Sequence, residues 1–255
     1  MGRRDMVTQP LLYISYGMAK SGSTLAFQIL RNVLENAGAP QPPIPLPSII
    51  TSGGLNFVEV IRPQELLELR THAERAPGLP IAIKTHCGMW NCVREGLDEG
   101  WIIGHAVCRD PRDIALSMLD ASRENRAWGK RDGEPLRHIE DAMEGVRFNA
   151  EKFQKWAAHP AIIPLTYARV AFDTEAVAKQ IADQLGVEVD VARVAKAALK
   201  VGVNLNKGER RRYDKELSSE VSDRIAAEYA NFIDVYCDDG FEPPRKGVLS
   251  RLLGR

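Results

Sequence analysis

The sequence predicts an α/β fold: one domain of three layers, with a central, mostly parallel sheet of about four to five strands flanked by helices. Three observations predict it. Short apolar, β-rich runs recur along the chain, with amphipathic helical stretches between them. The first run passes through a glycine- and serine-rich turn directly into a helix. No internal repeat and no linker divides the 255 residues, a length that single α/β domains often reach.

Residues 11–16 (LLYISY) form the first buried strand. A turn over 17–23 follows. A helix then carries Leu25, Ile29, Leu30, Val33 and Leu34 on one face and stops at Gly38. Residues 39–54 hold five prolines and two adjacent glycines and read as an irregular segment. As part of a loop over 39–56, this segment is either a gate over a substrate or a surface excursion. A helix covers 63–75. Residues 81–85 and 102–108 are the second and third strands. Helices follow at 114–126 and 136–158, the latter with Ile139, Met143, Val146 and Phe153 along one side. Residues 161–165 form a fourth strand, and Pro164 places it at a sheet edge or a strand end. Asp173 caps a helix that ends at Gly186. Helices at 190–200 and 218–240 complete the pattern. The tail, 243–255, has four basic residues and no acid, and reads as a solvated terminus.

Composition narrows the function. The 34 basic and 34 acidic side chains cancel, which excludes a general nucleic-acid binder with its basic face. A small basic pocket is still compatible with that balance. The four cysteines, Cys87, Cys92, Cys108 and Cys237, form no C-x-x-C pair and no metal-ligand spacing, so they read as reduced thiols and no metal is expected. No signal peptide and no apolar run of about 18 residues is present, so a cytoplasmic protein without a membrane span is expected.

Four segments carry chemistry. The first is Tyr16-Gly-Met-Ala-Lys-Ser-Gly-Ser-Thr24, between strand and helix. Successive amides of such a turn, with the helix N-terminus, form an anion nest. Lys20 adds a charge; Ser21, Ser23 and Thr24 add hydroxyl donors. The lysine precedes Gly22 rather than following it, which departs from the P-loop pattern of ATPases and GTPases. The second is Lys84-Thr85-His86, at the end of a strand. A histidine there suits a general base, and a lysine suits developing negative charge. The third runs from Arg109 through Asp110, Pro111, Arg112 and Asp113 to Ser117, with Pro111 opening a helix. Arg109 and Ser117, eight residues apart, suit a phosphate. Arg112 and Asp113 read as surface partners. The fourth is the basic turn Asn206-Lys207-Gly208-Glu-Arg-Arg-Arg-Tyr213, which suits closure over an anion.

Together and in this order, these segments resemble the sulfotransferases that use 3′-phosphoadenosine 5′-phosphosulfate (PAPS), in their cytosolic, bacterial-like form. The resemblance spans residues 11–217. It rests on Lys20-Ser-Gly-Ser-Thr24, Lys84-Thr-His86, the Arg109–Ser117 pair, Tyr167 after a later strand, and Lys207-Gly208. Leu25 stands where the family often has tryptophan, and Asn206 stands where it has arginine. The resemblance implies that Lys20 and the loop Ser21, Gly22, Ser23 and Thr24 hold the phosphosulfate. It implies that Arg109 and Ser117 hold the 3′-phosphate, that Tyr167 lies beside the nucleotide, and that Lys207 and Gly208 close over it. His86 is then the general base, and Lys84 with Lys20 stabilises the transferring group without a metal.

The acceptor is a small molecule or a glycan. Its pocket is expected from the proline-rich segment, from Met89, Trp90 and Trp101, and from residues 120–132, where Arg123, Arg126, Lys130, Arg131 and Trp128 cluster. Two alternatives stay open: a Mg²⁺-dependent P-loop kinase with Asp110 or Asp113 as ligand, and a non-catalytic nucleotide-binding protein.

Overall fold

The computed structural model describes residues 9–52, 55–75, 78–124, 134–200, 208–237 and 240. In chain order the elements are β1 (Leu12–Gly17), α1 (Ser23–Asn36), β2 (Ile49–Ser52), β3 (Leu55–Val58), α2 (Pro63–Glu74), β4 (Ile81–Thr85), α3 (Asn91–Asp98), β5 (Ile102–Cys108), α4 (Pro111–Arg123) and α5 (Ile139–Ala157). They continue with β6 (Ile162–Thr166), α6 (Tyr167–Phe172), α7 (Thr174–Leu185), α8 (Val191–Lys200), α9 (Tyr213–Glu216), α10 (Ser219–Glu228), α11 (Ala230–Phe232) and a π-helical turn, Ile233–Cys237.

The strands form one six-stranded sheet in the order β2-β3-β4-β1-β5-β6. Every neighbouring pair is parallel except β2–β3. The sheet therefore has six strands, against the four to five expected. The extra pair, β2 and β3, lies at the end of the loop expected over 39–56; the two strands are antiparallel to each other, and β3 pairs with β4. These four-residue strands depend on sheet pairing rather than on local pattern. Pro164 sits in β6, the edge strand whose one partner is β5, so its missing N–H costs no ladder bond on the open side.

The central strands read as unbroken apolar runs because both faces are covered. Leu12, Ile14 and Tyr16 of β1 point to one face, with Ile81 and Ile83 of β4, and meet α2, α3, α4 and α5. Tyr13 and Ala82 point to the other and meet α1, α6, α7 and α8. Each fully buried aliphatic side chain in these two layers contributes about 1.5–3 kcal/mol.

Several helix ends follow their local chemistry. Helix α4 starts at Pro111, earlier than periodicity alone predicts, because Asp110 accepts the Arg112 amide at 2.9 Å and proline fits the first turn. Asp173 precedes α7 but makes no side-chain cap; its carboxylate instead takes the Arg169 guanidinium at 3.4 Å. The single helix expected over 218–240 breaks at Tyr229 into α10, α11 and the π-helical turn. Helices α3, α6 and α9 are too short to have been expected. The tail and Arg126, Trp128, Lys130 and Arg131 lie outside the described residues. Among the described residues no helix is long and apolar enough to cross a membrane.

Candidate active site

Strands β4, β1, β5 and β6 are parallel neighbours, so their C-terminal ends emerge along one edge of the sheet. The ends of β1, β4 and β5 carry the first three segments singled out above, and Tyr167 follows β6. Open α/β sheets bind ligands at this edge.

The glycine loop leaves β1 at Gly17. A Cβ on Gly17 would stand 2.4 Å from the Ser23 Cβ, so only glycine lets the loop close this tightly. Lys20 (φ 68°) and Gly22 (φ 82°) both take the left-handed conformation. Alternation of that kind turns successive amides toward one side. Three loop amides are accounted for: Met18 donates to the Val107 carbonyl, Ala19 to Asn149 Oδ1, and Ser21 to the Met18 carbonyl. Helix α1 then begins without a side-chain cap and without an acidic residue in its first turn. Among the described residues no acceptor takes the amides of Gly22, Ser23 and Thr24. Open donors at the positive end of a 14-residue helix form a site for an anion.

His86 lies directly beside this loop. Its Nδ1 donates to the Gly17 carbonyl at 2.6 Å, which leaves Nε2 as the acceptor. Lys84 Nζ fills that acceptor from 3.1 Å. Burial and then Lys84 hold the His86 imidazole down to about 4 against the opposing pull of the Gly17 carbonyl, with the smallest contribution, also downward, from Lys152. Burial also lowers Lys84 to about 8. The Phe57 ring backs the pair, 5.6 Å from the His86 ring and 5.1 Å from Lys84 Nζ. Thr85 shapes the exit of β4: its hydroxyl donates to the Val58 carbonyl and accepts the Cys87 amide.

Arg109 directly follows β5 and is 5% exposed. Its Nε and Nη2 donate to Asp113 Oδ2 at 3.3 and 3.2 Å, and Nη2 also reaches the Glu209 carbonyl at 2.8 Å. Nη1 makes a single long contact, 3.5 Å, to the Lys20 carbonyl. The Nη1 edge is therefore the one with donor capacity left for a ligand. Asp113 is no surface partner. It is 2% exposed and also accepts the amides of Arg211 and Tyr213, so it ties the late basic turn to α4. Burial raises its carboxyl despite the arginine. Ser117, one turn further along α4, is buried. Gly208 belongs to the described part of the turn (φ 60°), whereas Lys207 and Asn206 lie outside it.

Tyr167 joins the first and third segments. It opens α6 directly after β6, and its ring lies 4.0 Å beneath the Arg109 guanidinium. A Cβ on Gly22 would stand 3.0 Å from the same ring. Beside this junction a cavity of about 450 Å³ is lined by Arg109, Arg112, Tyr167, Arg211, Tyr213 and others.

The acceptor-side expectations divide. Trp90 is 46% exposed and stands near His86 in sequence, outside the core. Trp101 is excluded: it precedes β5, at the opposite end of the strand from the site, and is buried with its indole N–H on Glu99. Asp120 bonds the buried Arg212 instead of facing a pocket.

Helix α5 supplies residues that the sequence did not single out. Asn149 holds the Ala19 amide at 3.1 Å, Lys152 reaches the His86 carbonyl at 3.3 Å, and Trp156 donates to the Cys87 carbonyl at 3.1 Å. Trp156 also stacks on Tyr16, with centroids 5.2 Å apart. The signal was present as a polar Asn149 on the apolar side of an amphipathic helix. Among the described residues no group of three or more His, Cys, Asp or Glu could hold a metal ion.

No protein-family model matches the chain, and no curated protein sequence matches it. Solved structures share its fold. Mouse sulfotransferase SULT7A1 complexed with PAP superposes with a TM-score of 0.57 at 16% identity, over 96% of this chain and 88% of that one. Retinol dehydratase with androsterone and the inactive cofactor PAP gives 0.56 at 15% identity, over 93% and 85%. Retinol dehydratase with retinol and PAP gives 0.54 at 16%, over 93% and 85%.

Proposed function

We propose that this protein transfers a sulfuryl group from PAPS to a hydroxyl or amine of a small acceptor. The observation that carries the reading is the meeting of an uncapped helix N-terminus with a Lys84–His86 pair at one sheet edge. The fold supports it, because three solved structures that share it hold PAP.

PAPS supplies the sulfuryl group and leaves as adenosine 3′,5′-bisphosphate. The open amides of Gly22, Ser23 and Thr24, with Lys20 and the hydroxyls of the loop, would hold its phosphosulfate. The Nη1 edge of Arg109 and the Ser117 hydroxyl would hold the 3′-phosphate, with Lys207 and Gly208 closing from the turn. Tyr167 positions Arg109 against the loop. His86 is neutral well below pH 7, so Nε2 is free to take the acceptor proton once Lys84 turns from it. Lys84 and Lys20 place positive charge where negative charge develops. Residues 39–56 gate the acceptor in this reading, and the reaction needs no metal.

Thermal melts test the binding half. Adenosine 3′,5′-bisphosphate at a hundred times its Kd stabilises a binder by about 2.7 kcal/mol. ATP with Mg²⁺ should produce no comparable shift; the reverse pattern would identify a kinase. Radiolabelled PAPS tests the chemistry. His86→Ala and Lys20→Ala should lose most turnover in folded protein. Tight nucleotide binding with no labelled product from any acceptor would leave a non-catalytic binding protein.

A further inference from the structure

We infer that Lys152 recognises an anionic group on the acceptor, so that the preferred acceptors are hydroxy acids rather than neutral alcohols. This rests on the sulfuryl-transfer reading above. Lys152 projects from α5 toward the chain just beyond β4. Its Nζ donates to the His86 carbonyl at 3.3 Å, and its stem lies 3.8 Å from where a Gly88 Cβ would stand. An ammonium carries three donors. Among the described residues Lys152 has no carboxylate in ion-pair range; its other neighbour is the ring of Phe148, 3.9 Å below Nζ. Burial holds its ammonium below the usual lysine range, as expected for a charge without a partner.

Its position separates it from the nucleotide. The glycine loop touches His86 through Nδ1, whereas Lys152 touches the main-chain carbonyl of the same residue. An acceptor hydroxyl at Nε2 and an anion at Lys152 would then be separated by about the span of one histidine. The surroundings fit the body of such a molecule. Phe148, whose ring lies under Lys152 Nζ, is 52% exposed, and Trp90, four residues after His86 in sequence, is 46% exposed, both open for large apolar side chains. An open aromatic ring against a cation that has no carboxylate partner among the described residues suits an apolar or aryl hydroxy acid.

The test is turnover of PAPS over a panel of hydroxy acids, each matched with its neutral methyl ester. The panel runs from para-hydroxyphenylacetate to short aliphatic hydroxy acids. The wild-type protein should favour the acids by about ten- to a hundredfold in kcat/KM, the worth of one charge-assisted hydrogen bond. In Lys152→Met that ratio should fall toward one, and Lys152→Arg should restore part of it. A lysine that merely braces the His86 carbonyl would lower both rates and leave the ratio alone. Esters used as well as acids, an unchanged ratio in Lys152→Met, or a Lys152→Met protein that loses adenosine bisphosphate binding would each overturn the inference. No turnover of any pair would also overturn it, and a melt with adenosine bisphosphate then tells whether the parent reading still stands.

Discussion

Lys84 Nζ donates to His86 Nε2 across 3.1 Å, so the lone pair that makes His86 a base is covered by the lysine next to it. The pair is closed as it stands. In the sulfuryl-transfer reading, an anion bound at the helix N-terminus would draw the ammonium away and uncover Nε2, which would couple nucleotide binding to proton transfer.

That coupling sets a pH profile. Lys84 loses its proton as pH rises through about 8, and His86 gains one only near 4. kcat/KM for PAPS should therefore be flat through the acidic and neutral range and fall on the alkaline side near pH 8. Lys84→Arg keeps its charge and should extend the plateau upward. An alkaline limb unmoved in Lys84→Arg would remove Lys84 from the profile.

The same histidines make the fold acid-sensitive. Burial lowers His86 to about 4 and the fully buried His105, hydrogen-bonded to Ser15 at 2.8 Å, to about 3, from an ordinary 6.5. Between pH 6.5 and these values the unfolded chain binds protons that the native state refuses. Stability should thus rise with pH across that window and decline on acidification. Urea unfolding at pH 7 and pH 5 measures it, and His86→Gln should flatten part of the slope. Equal slopes in both proteins would contradict the assignment.

Gly22 is constrained twice, by its φ of 82° and by the Tyr167 ring against it. Gly22→Ala should cost about 1–2 kcal/mol for the left-handed backbone alone, plus the contact with the ring. Adding Tyr167→Leu should relieve only the contact. A double-mutant cycle on melting temperature and nucleotide affinity separates the two; strict additivity would mean the ring does not press on Gly22.

Asp113 pairs with Arg109 where both side chains are nearly inaccessible, 2% and 4% exposed. Asp113→Ala should destabilise by about 3 kcal/mol, the lower end for stranding a buried partner, because Arg109 keeps its carbonyl acceptors. It should also weaken nucleotide binding, since Arg211 and Tyr213 lose their shared anchor. A loss below about 1 kcal/mol would show that water already screens the pair.

Much of this was legible in the sequence. β4 and β5 were readable to the residue because buried parallel strands are continuous apolar runs between turns. The loop at 17–24, Lys84, His86 and Arg109 were readable because their chemistry is local to a strand end. The β2–β3 hairpin was not, because prolines and glycines masked strands that exist only through pairing with β4. Asp113 looked superficial, since its burial comes from a turn about a hundred residues later. Trp101 looked like a site residue because the strand hides which of its ends faces the ligand. Asn149 and Lys152 escaped notice because a helix far along the chain supplies them.

Leu12 in β1 pairs with Ile81 on one side and Ile102 on the other. The segments that flank the glycine loop are therefore remote along the chain, and no contiguous fragment short of β5 assembles them. Loop closures of that length slow folding. In the sulfuryl-transfer reading a refolding chain would regain helix content before it regained ligand, which would make nucleotide capture a late marker of the finished sheet.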